Sequence, residues 1–422
     1  MTALTIILLK LGDVGSHLFL IATLFTMSIS TGLILPLLLA HPSYFACALL
    51  VLSLAVFSAF GRPMRYVNSQ TVVALILLFV LFSVWSILPR KGDPLVSILQ
   101  APVLLLLLIG VLLSATPEEL GRLLRVYIVF CFIMALGGVI AWVLINWEIV
   151  DYKNSLWSLY EATAGRANRD EWAVASAGYS FPYYLGLVLT GAYSYDLFSF
   201  IFYRASGWTH EPTSAAAFIA PAIILLARER LFTLPVRRVF LTTLIAFWLA
   251  CAAVGSAIAF LGLVVFYLFF SRGRHAVWKR LLVLVLMGGL FVVYMEAQRY
   301  IVFTGPSAAN PHLSLFESKF DPDAEVGIKQ LVNLLSPSTL QGYLNLSFFS
   351  LMAVTIFLFA VRAIRSTNTT AASFVLILVY FFLHSLKGSW DQLFASFFFM
   401  VFFFIFLRVH LSHWNITEPT RS

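Results

Sequence analysis

The chain is dominated by repeated apolar runs of about 20 residues that carry almost no charge. A run of that length is what an α-helix needs to cross a bilayer, whereas a membrane barrel shows alternating segments of about 10 residues. Of the 422 residues, 61% are apolar and 11% are charged, against about 25% charged residues in soluble domains. The sequence therefore predicts an all-α integral membrane protein and excludes a soluble one.

The apolar runs predict about twelve transmembrane helices in one polytopic domain. One run, residues 239–270, is too long for a single span and long enough for two short ones, so we expect a break near Gly255 and Ser256. Thr116-Pro117 followed by two glutamates is typical of a helix start and predicts a short helix that leads into the fifth span. The predicted spans are residues 18–40, 44–60, 71–88, 95–114, 126–146, 214–226, two within 239–270, then 281–295, 347–361, 372–386 and 394–407.

Two long polar stretches, residues 147–213 and 296–346, cannot lie in lipid and are predicted to be large loops. The arginine clusters between the other spans, apart from Arg90-Lys91, fall on the opposite side, which the positive-inside rule assigns to the cytoplasm. Within the first loop, residues 181–203 are apolar and rich in Tyr and Phe. We predict a re-entrant or interfacial segment there, because a full crossing would move the downstream arginine clusters to the outer side.

A short polar stretch rich in hydrogen-bonding groups lies between apolar segments at residues 203–214, which read YRASGWTHEPTS. Arg204 can bind a diphosphate, since a guanidinium stays charged in an apolar site, and Glu211 can act as a general base. A structural ion pair between these two residues is the alternative. His210 is a second candidate base, Trp208 can stack on a sugar ring or simply anchor at the interface, and Gly207 is expected to supply an unusual backbone angle.

Four further residues are candidates for substrate binding in the outer segments. Lys387 can bind a phosphate or merely extend to the membrane surface, and His384 lies about one turn inside the eleventh span, where an ionisable group suggests function. Arg299 follows the ninth span and can also meet a phosphate. His312 lies in the second loop, where a solvated histidine is the simpler interpretation.

Several other functions have no support in the sequence. There is no Gly-rich phosphate loop, no metal-spaced His/Cys set and no nucleophile signature, so we expect no cofactor and no metal. The formal net charge of +8 is explained by cytoplasmic loops, and we expect no nucleic-acid partner.

The segment Arg-Ala-Ser-Gly-Trp-Thr-His-Glu-Pro-Thr-Ser at residues 204–214, followed by a small-residue span, resembles the O-antigen polymerase and ligase superfamily, the Wzy and WaaL type. The plan of about twelve helices with two large outward loops is similar as well. Glu211-Pro212 followed by Thr/Ser resembles the polymerase branch. The resemblance implies a GT-C-like membrane glycosyltransferase at the periplasmic face of a bacterial inner membrane.

The resemblance also implies a reaction and its partners. The donor would be a glycan on undecaprenyl diphosphate, transferred without a metal ion and with inversion, and a chain-length regulator protein is a possible partner. Arg204, with Arg299 or Lys387, would stabilise the departing diphosphate, and Glu211 or His210 would help to deprotonate the acceptor. The ligase branch carries a functional histidine in its second loop, where this chain has His312. An O-antigen ligase is therefore one alternative. A polysaccharide transporter or flippase of twelve helices, from a different class of protein, is another.

Overall fold

The computed structural model describes a helical bundle with one small sheet. The described residues are 117–147, 149, 183–184, 187–195, 200–207, 212–270, 301–303 and 369–385, with scattered helical positions at 278–292, 343–359 and 399–409. The first four predicted spans lie outside this part of the chain. Within it the protein is mostly helical, in agreement with the helical class predicted from the apolar runs.

Five long helices are described, and they agree with the predicted spans they cover. They are α1 (Pro117–Asn146), α2 (Pro212–Arg228), α3 (Leu234–Ala250), α4 (Val254–Phe270) and α5 (Thr369–Ser385). Within α1, Leu120–Leu144 is long and apolar enough, by length and composition, to cross a membrane; parts of α2, α4 and α5 are shorter apolar helices.

The predicted break inside the long run at 239–270 is confirmed, but it falls a few residues earlier than expected. α3 ends at Ala250 and α4 begins at Val254, so the turn is formed by Cys251, Ala252 and Ala253. Ala252 has a φ of 44°, which residues other than glycine rarely adopt. No glycine marks the turn, so the sequence pattern pointed to Gly255 and Ser256 instead.

A four-stranded antiparallel sheet was not predicted. It consists of β1 (Tyr183–Tyr184), β2 (Leu187–Tyr195), β3 (Phe200–Gly207) and β4 (Ile301–Phe303). β2 pairs with the other three strands. The described part of the chain is mostly helical, as predicted, but the all-α class omitted this sheet: β1, β2 and the first half of β3 lie in the segment predicted as re-entrant or interfacial. Tyr, Phe and Val favour strands, and an uninterrupted apolar run does not by itself distinguish a strand from a helix.

The sheet also joins the two predicted loops. Ile301, Val302 and Phe303 of the second loop pair with Tyr195, Ser194 and Tyr193 of the first. These pairs are main-chain ladder contacts between residues more than 100 positions apart in sequence. The two segments therefore form one structural unit.

α2 is the central helix of the described bundle. It contacts the other four long helices and β3, and residues 215–220 are completely buried. Its alanines allow neighbouring helices to approach closely. Pro221 inside α2 lacks an N–H group, and nearby the hydroxyl of Tyr127 on α1 donates to the carbonyl of Phe218.

Side-chain contacts define the directions of α1 and α3 relative to α2. Tyr127 meets Phe218 in the middle of α2, whereas Met134, further along α1, lies beside Gly207, which precedes α2. Phe247, near the end of α3, lies beside the same glycine. Both helices therefore run antiparallel to α2.

The directions of α4 and α5 follow in the same way. Ser373, near the start of α5, bonds to Glu229 just after α2, so α5 is antiparallel to α2. Ser256, near the start of α4, meets Tyr380 towards the end of α5, so α4 is parallel to α2. We call the end where β3 leads into α2 the sheet end, and the end where α2 finishes at Arg228 the arginine end. A 17-residue α2 separates them by about 25 Å.

Candidate functional site

Arg204 lies in β3 between two irregularities in the β2–β3 ladder. It pairs with Thr190, and its neighbour Ala205 pairs with Leu189. Gly191 is the extra residue on one side of this short paired unit, and Ser206 is the extra residue on the other. Bulges increase the local strand twist and redirect side chains, and they are frequent beside functional sites. The local backbone at Arg204 is therefore set by two bulges close together.

The Arg204 guanidinium is anchored to the turn between α3 and α4. Its Nε donates to the carbonyl oxygen of Cys251 at 3.0 Å, and the side chain is half-buried. Cys251 itself is a fully buried free cysteine. A charge-assisted bond of this kind is stronger than a neutral one. It ties the sheet to the helix bundle and fixes a positive charge at the sheet end.

Gly207 ends β3 with the unusual backbone angle that the sequence predicted. Its φ is +56°, in the left-handed region that favours glycine. A Cβ at this position would lie 2.9 Å from Cγ of Met134 and 3.0 Å from Cζ of Phe247. The residue is therefore glycine for two reasons, the backbone angle and the close approach of α1 and α3.

The polar stretch continues directly into the buried start of α2. Pro212 is the first residue of the helix, where a missing N–H group costs nothing, and Thr213 is buried. Trp208, His210 and Glu211 lie outside the described residues. Arg204 as a diphosphate ligand with Glu211 as a general base, and the alternative of an ion pair between them, therefore stay predictions.

A buried hydrogen-bonded chain lies at the same end of the bundle. The indole Nε1 of Trp248 donates to Oγ of Ser256 at 2.9 Å, and that hydroxyl shares a hydrogen bond of 2.6 Å with the hydroxyl of Tyr380. Trp248 and Ser256 flank the turn that contains Cys251. The chain therefore closes the turn from both sides and connects it to α5.

His384 is brought to the sheet end by α5. It lies one helical turn beyond Tyr380, with the two ring centroids 5.8 Å apart, and it is completely buried. Arg204 and His384 are 180 positions apart in sequence, and the structure connects both to the turn between α3 and α4. Arg299, His312 and Lys387, the other predicted binding residues, lie outside the described part of the chain.

The opposite end of α2 holds a buried polar cluster that the sequence analysis missed. Glu229 is buried and accepts hydrogen bonds from Ser373 at 2.5 Å and from Thr370. Arg228 donates to the same Ser373 hydroxyl at 3.1 Å and lies over the ring of Tyr267. The available signal was an isolated acid within a run of arginines, which we interpreted only as part of a cytoplasmic loop.

Exposed arginines gather around this cluster. Arg122 and Arg125 lie near the start of α1, Arg230 follows α2, and Arg238 lies near the start of α3. The helix directions place all four at the arginine end, away from Arg204 and the sheet. Two clusters that the sequence assigned to one side of a membrane are therefore on one side of the bundle.

Neither metal ligation nor similarity to known proteins adds a further assignment. Among the residues that the structure describes, no group of three or more His, Cys, Asp or Glu side chains could hold a metal ion. Comparison of the whole chain with family models, with curated proteins and with solved structures finds no match.

Proposed function

We propose that this chain is an integral-membrane glycosyltransferase that joins oligosaccharide repeat units carried on undecaprenyl diphosphate. The sheet end would face the periplasm of a bacterium and the arginine end the cytoplasm, within a fold of about twelve spans. The resemblance of residues 204–214 to the O-antigen polymerase and ligase superfamily supplies the reaction class. The observation that carries the proposal to this structure is the anchored, half-buried guanidinium of Arg204 at the sheet end.

The orientation is supported by the distribution of charge. Exposed arginines surround the end of α2, about 25 Å from the start of that helix. Arginine and lysine accumulate on the cytoplasmic side of membrane proteins. The sheet end would then lie at the periplasmic surface of the inner membrane, within reach of a lipid-linked donor.

The proposed role of Arg204 follows from its chemistry. The acceptor hydroxyl attacks the anomeric carbon of the donor sugar, the bond between that carbon and the diphosphate oxygen breaks, and the proton passes to Glu211 or His210. The lipid diphosphate leaves with additional negative charge on its oxygen. A guanidinium held in place before the reaction stabilises that charge without reorganising.

The test uses purified protein in lipid nanodiscs with lipid-linked repeat units extracted from the producing bacterium, and without nucleotide sugar or divalent metal. Wild type is compared with Arg204→Ala, Arg204→Lys and Glu211→Ala. Arg238→Ala removes an exposed arginine at the opposite end and is the matched control. We expect a ladder of longer lipid-linked glycans from wild type and from the control.

The expected loss in Arg204→Ala is about 100-fold or more in rate, as found when one stabilising donor is removed from a preorganised site. Arg204→Lys should keep part of the activity, because an ammonium supplies charge without the planar fork. Full activity in Arg204→Ala would refute the role of this residue. If no ladder forms until lipid A core is added, the protein is a ligase, and no transfer to either acceptor would favour a transporter.

A further inference from the structure

The turn between α3 and α4 connects the two candidate residues that the structure describes. Arg204 bonds to the turn through the carbonyl of Cys251, and His384 lies one helical turn from Tyr380, which bonds to Ser256 beside the turn. The turn itself contains Ala252 in the left-handed region, at φ 44°. An alanine holds that conformation only where its surroundings impose it.

The hydrogen-bonded chain supplies that constraint. Trp248 and Ser256 lie on either side of the turn, and their side chains meet at 2.9 Å, which closes the loop between them. Tyr380 bonds to the same Ser256 hydroxyl from α5 at 2.6 Å. Ser256 and Tyr380 are fully buried, so water does not compete for the hydrogen bond between them in the folded protein.

We propose that Ser256 and Tyr380 are positioning residues for Arg204: their hydrogen bond holds the turn at Cys251–Ala253, and the turn holds the guanidinium. This inference deepens the proposed function and rests on it for its effect on turnover. The state of the turn itself does not depend on any substrate. An experiment can therefore address the turn and the reaction separately.

The first measurement is the reactivity of Cys251 towards N-ethylmaleimide, followed by peptide mass spectrometry on the full chain in nanodiscs. The thiol is completely buried in the turn, so it reacts only when the turn opens. Tyr380→Phe and Ser256→Ala each remove a hydroxyl from the chain. We expect both to raise the labelling rate of Cys251 by about 10-fold or more.

Tyr127→Phe is the matched control. It also removes a buried tyrosine hydroxyl that makes a hydrogen bond, but that bond goes to the carbonyl of Phe218 in the α1–α2 contact. We expect no change in Cys251 labelling in this variant. If Tyr380→Phe and Ser256→Ala label no faster than Tyr127→Phe, the turn does not depend on the hydrogen-bonded chain and the proposal is overturned.

The second measurement is glycan transfer by the same variants. A misplacement of about 1 Å can cost about 100-fold in rate, so Tyr380→Phe should lower kcat about 10–100-fold while KM changes by less than about 2-fold. In an Arg204→Lys background the same change should lower kcat by less than about 2-fold, because the guanidinium that Tyr380 positions is gone. If Tyr380→Phe lowers kcat as much in the Arg204→Lys background as in wild type, Tyr380 does not act by positioning Arg204.

The two arms separate the two proposals. Faster Cys251 labelling together with an inactive wild type would retain the role of the turn and reject the proposed reaction. Normal transfer in a variant with a freely labelled Cys251 would reject the link between the turn and catalysis. Both measurements use the same four proteins, which are wild type, Tyr380→Phe, Ser256→Ala and Tyr127→Phe.

Discussion

The substitution Gly207→Ala tests the architecture of the sheet end directly. This glycine combines a φ of +56° with a site closed by α1 and α3. A methyl group there would lie 2.9 Å from Cγ and 3.1 Å from Sδ of Met134, and 3.0 Å from Cζ of Phe247. Non-bonded carbon atoms prefer separations of about 3.5–4.0 Å, so the neighbours must move.

Two unfavourable contributions and one favourable contribution set the expected size of the effect. An L-residue in the left-handed region costs about 1–2 kcal/mol, and overpacking a closed site costs about 1–3 kcal/mol. Replacing glycine also reduces the conformational freedom of the unfolded chain, which stabilises the folded state by about 0.4–1 kcal/mol. We therefore expect Gly207→Ala to lower the free energy of unfolding by about 1–5 kcal/mol.

The assay is reversible unfolding in mixed micelles of a mild detergent and SDS, followed by circular dichroism. Gly289→Ala is the control, because a Cβ on Gly289 would meet no atom of the described structure within 4 Å and the residue is helical. Alanine is favoured over glycine in a helix by about 1 kcal/mol. The control should therefore be unchanged or slightly more stable than wild type.

A double variant removes part of the packing cost and keeps the backbone cost, since Cζ of Phe247 still lies 3.0 Å from the added methyl group. Met134→Ala removes the methionine atoms closest to the added methyl group. In that background Gly207→Ala should still cost about 1–2 kcal/mol, because the left-handed angle remains unfavourable. The reasoning about Gly207 is refuted if the single variant is as stable as Gly289→Ala, and the argument from the backbone angle fails if the loss disappears in the Met134→Ala background.

Two further predictions concern the arginine end and the turn. Glu229→Ala should lower the free energy of unfolding by about 1–3 kcal/mol, because the buried Ser373 hydroxyl loses its acceptor. The control Glu118→Ala, on the exposed start of α1, should stay within about 0.5 kcal/mol of wild type in the same assay. Ala252→Gly should raise the free energy of unfolding by up to about 1 kcal/mol, since glycine adopts a φ of 44° without strain. Ala253→Gly, at the next position, should lower it. Equal losses at both positions in the same unfolding assay would contradict the assignment of strain to Ala252.

The helices could be predicted because their physical cause is local. A run of about 20 apolar residues that crosses a bilayer must satisfy its backbone hydrogen bonds within the segment, and an α-helix does so without a distant partner. The predicted spans at 126–146, 214–226 and 372–386 therefore agree with α1, α2 and α5 to within a few residues, apart from the additional short helix that α1 includes at its start. The break in the run at 239–270 was predicted from its length, but its predicted position near Gly255 and Ser256 lies a few residues after the observed turn.

The sheet was not predictable from the same patterns. β2 and β3 are antiparallel neighbours, and Ile301, Val302 and Phe303, which lie more than 100 positions further along the chain than β2, pair with the end of β2. Strand pairing depends on a distant partner, and a periodicity argument does not contain that partner. The polar cluster at Glu229 was missed for a similar reason, because its hydrogen-bonding partners are about 140 positions away.

The helical class of the described bundle, the polar stretch at 203–214 as a candidate site and the need for glycine at Gly207 could all be predicted from the amino-acid sequence. Each of these follows from composition or from the conformational preference of one residue. The bond from Arg204 to the turn at Cys251, and the position of Tyr380 and His384 at the same end of the bundle, could not be predicted in this way. Those contacts depend on the relative directions of five helices and one sheet. Packing between distant segments brings such side chains together, and the conformational preference of a single residue does not.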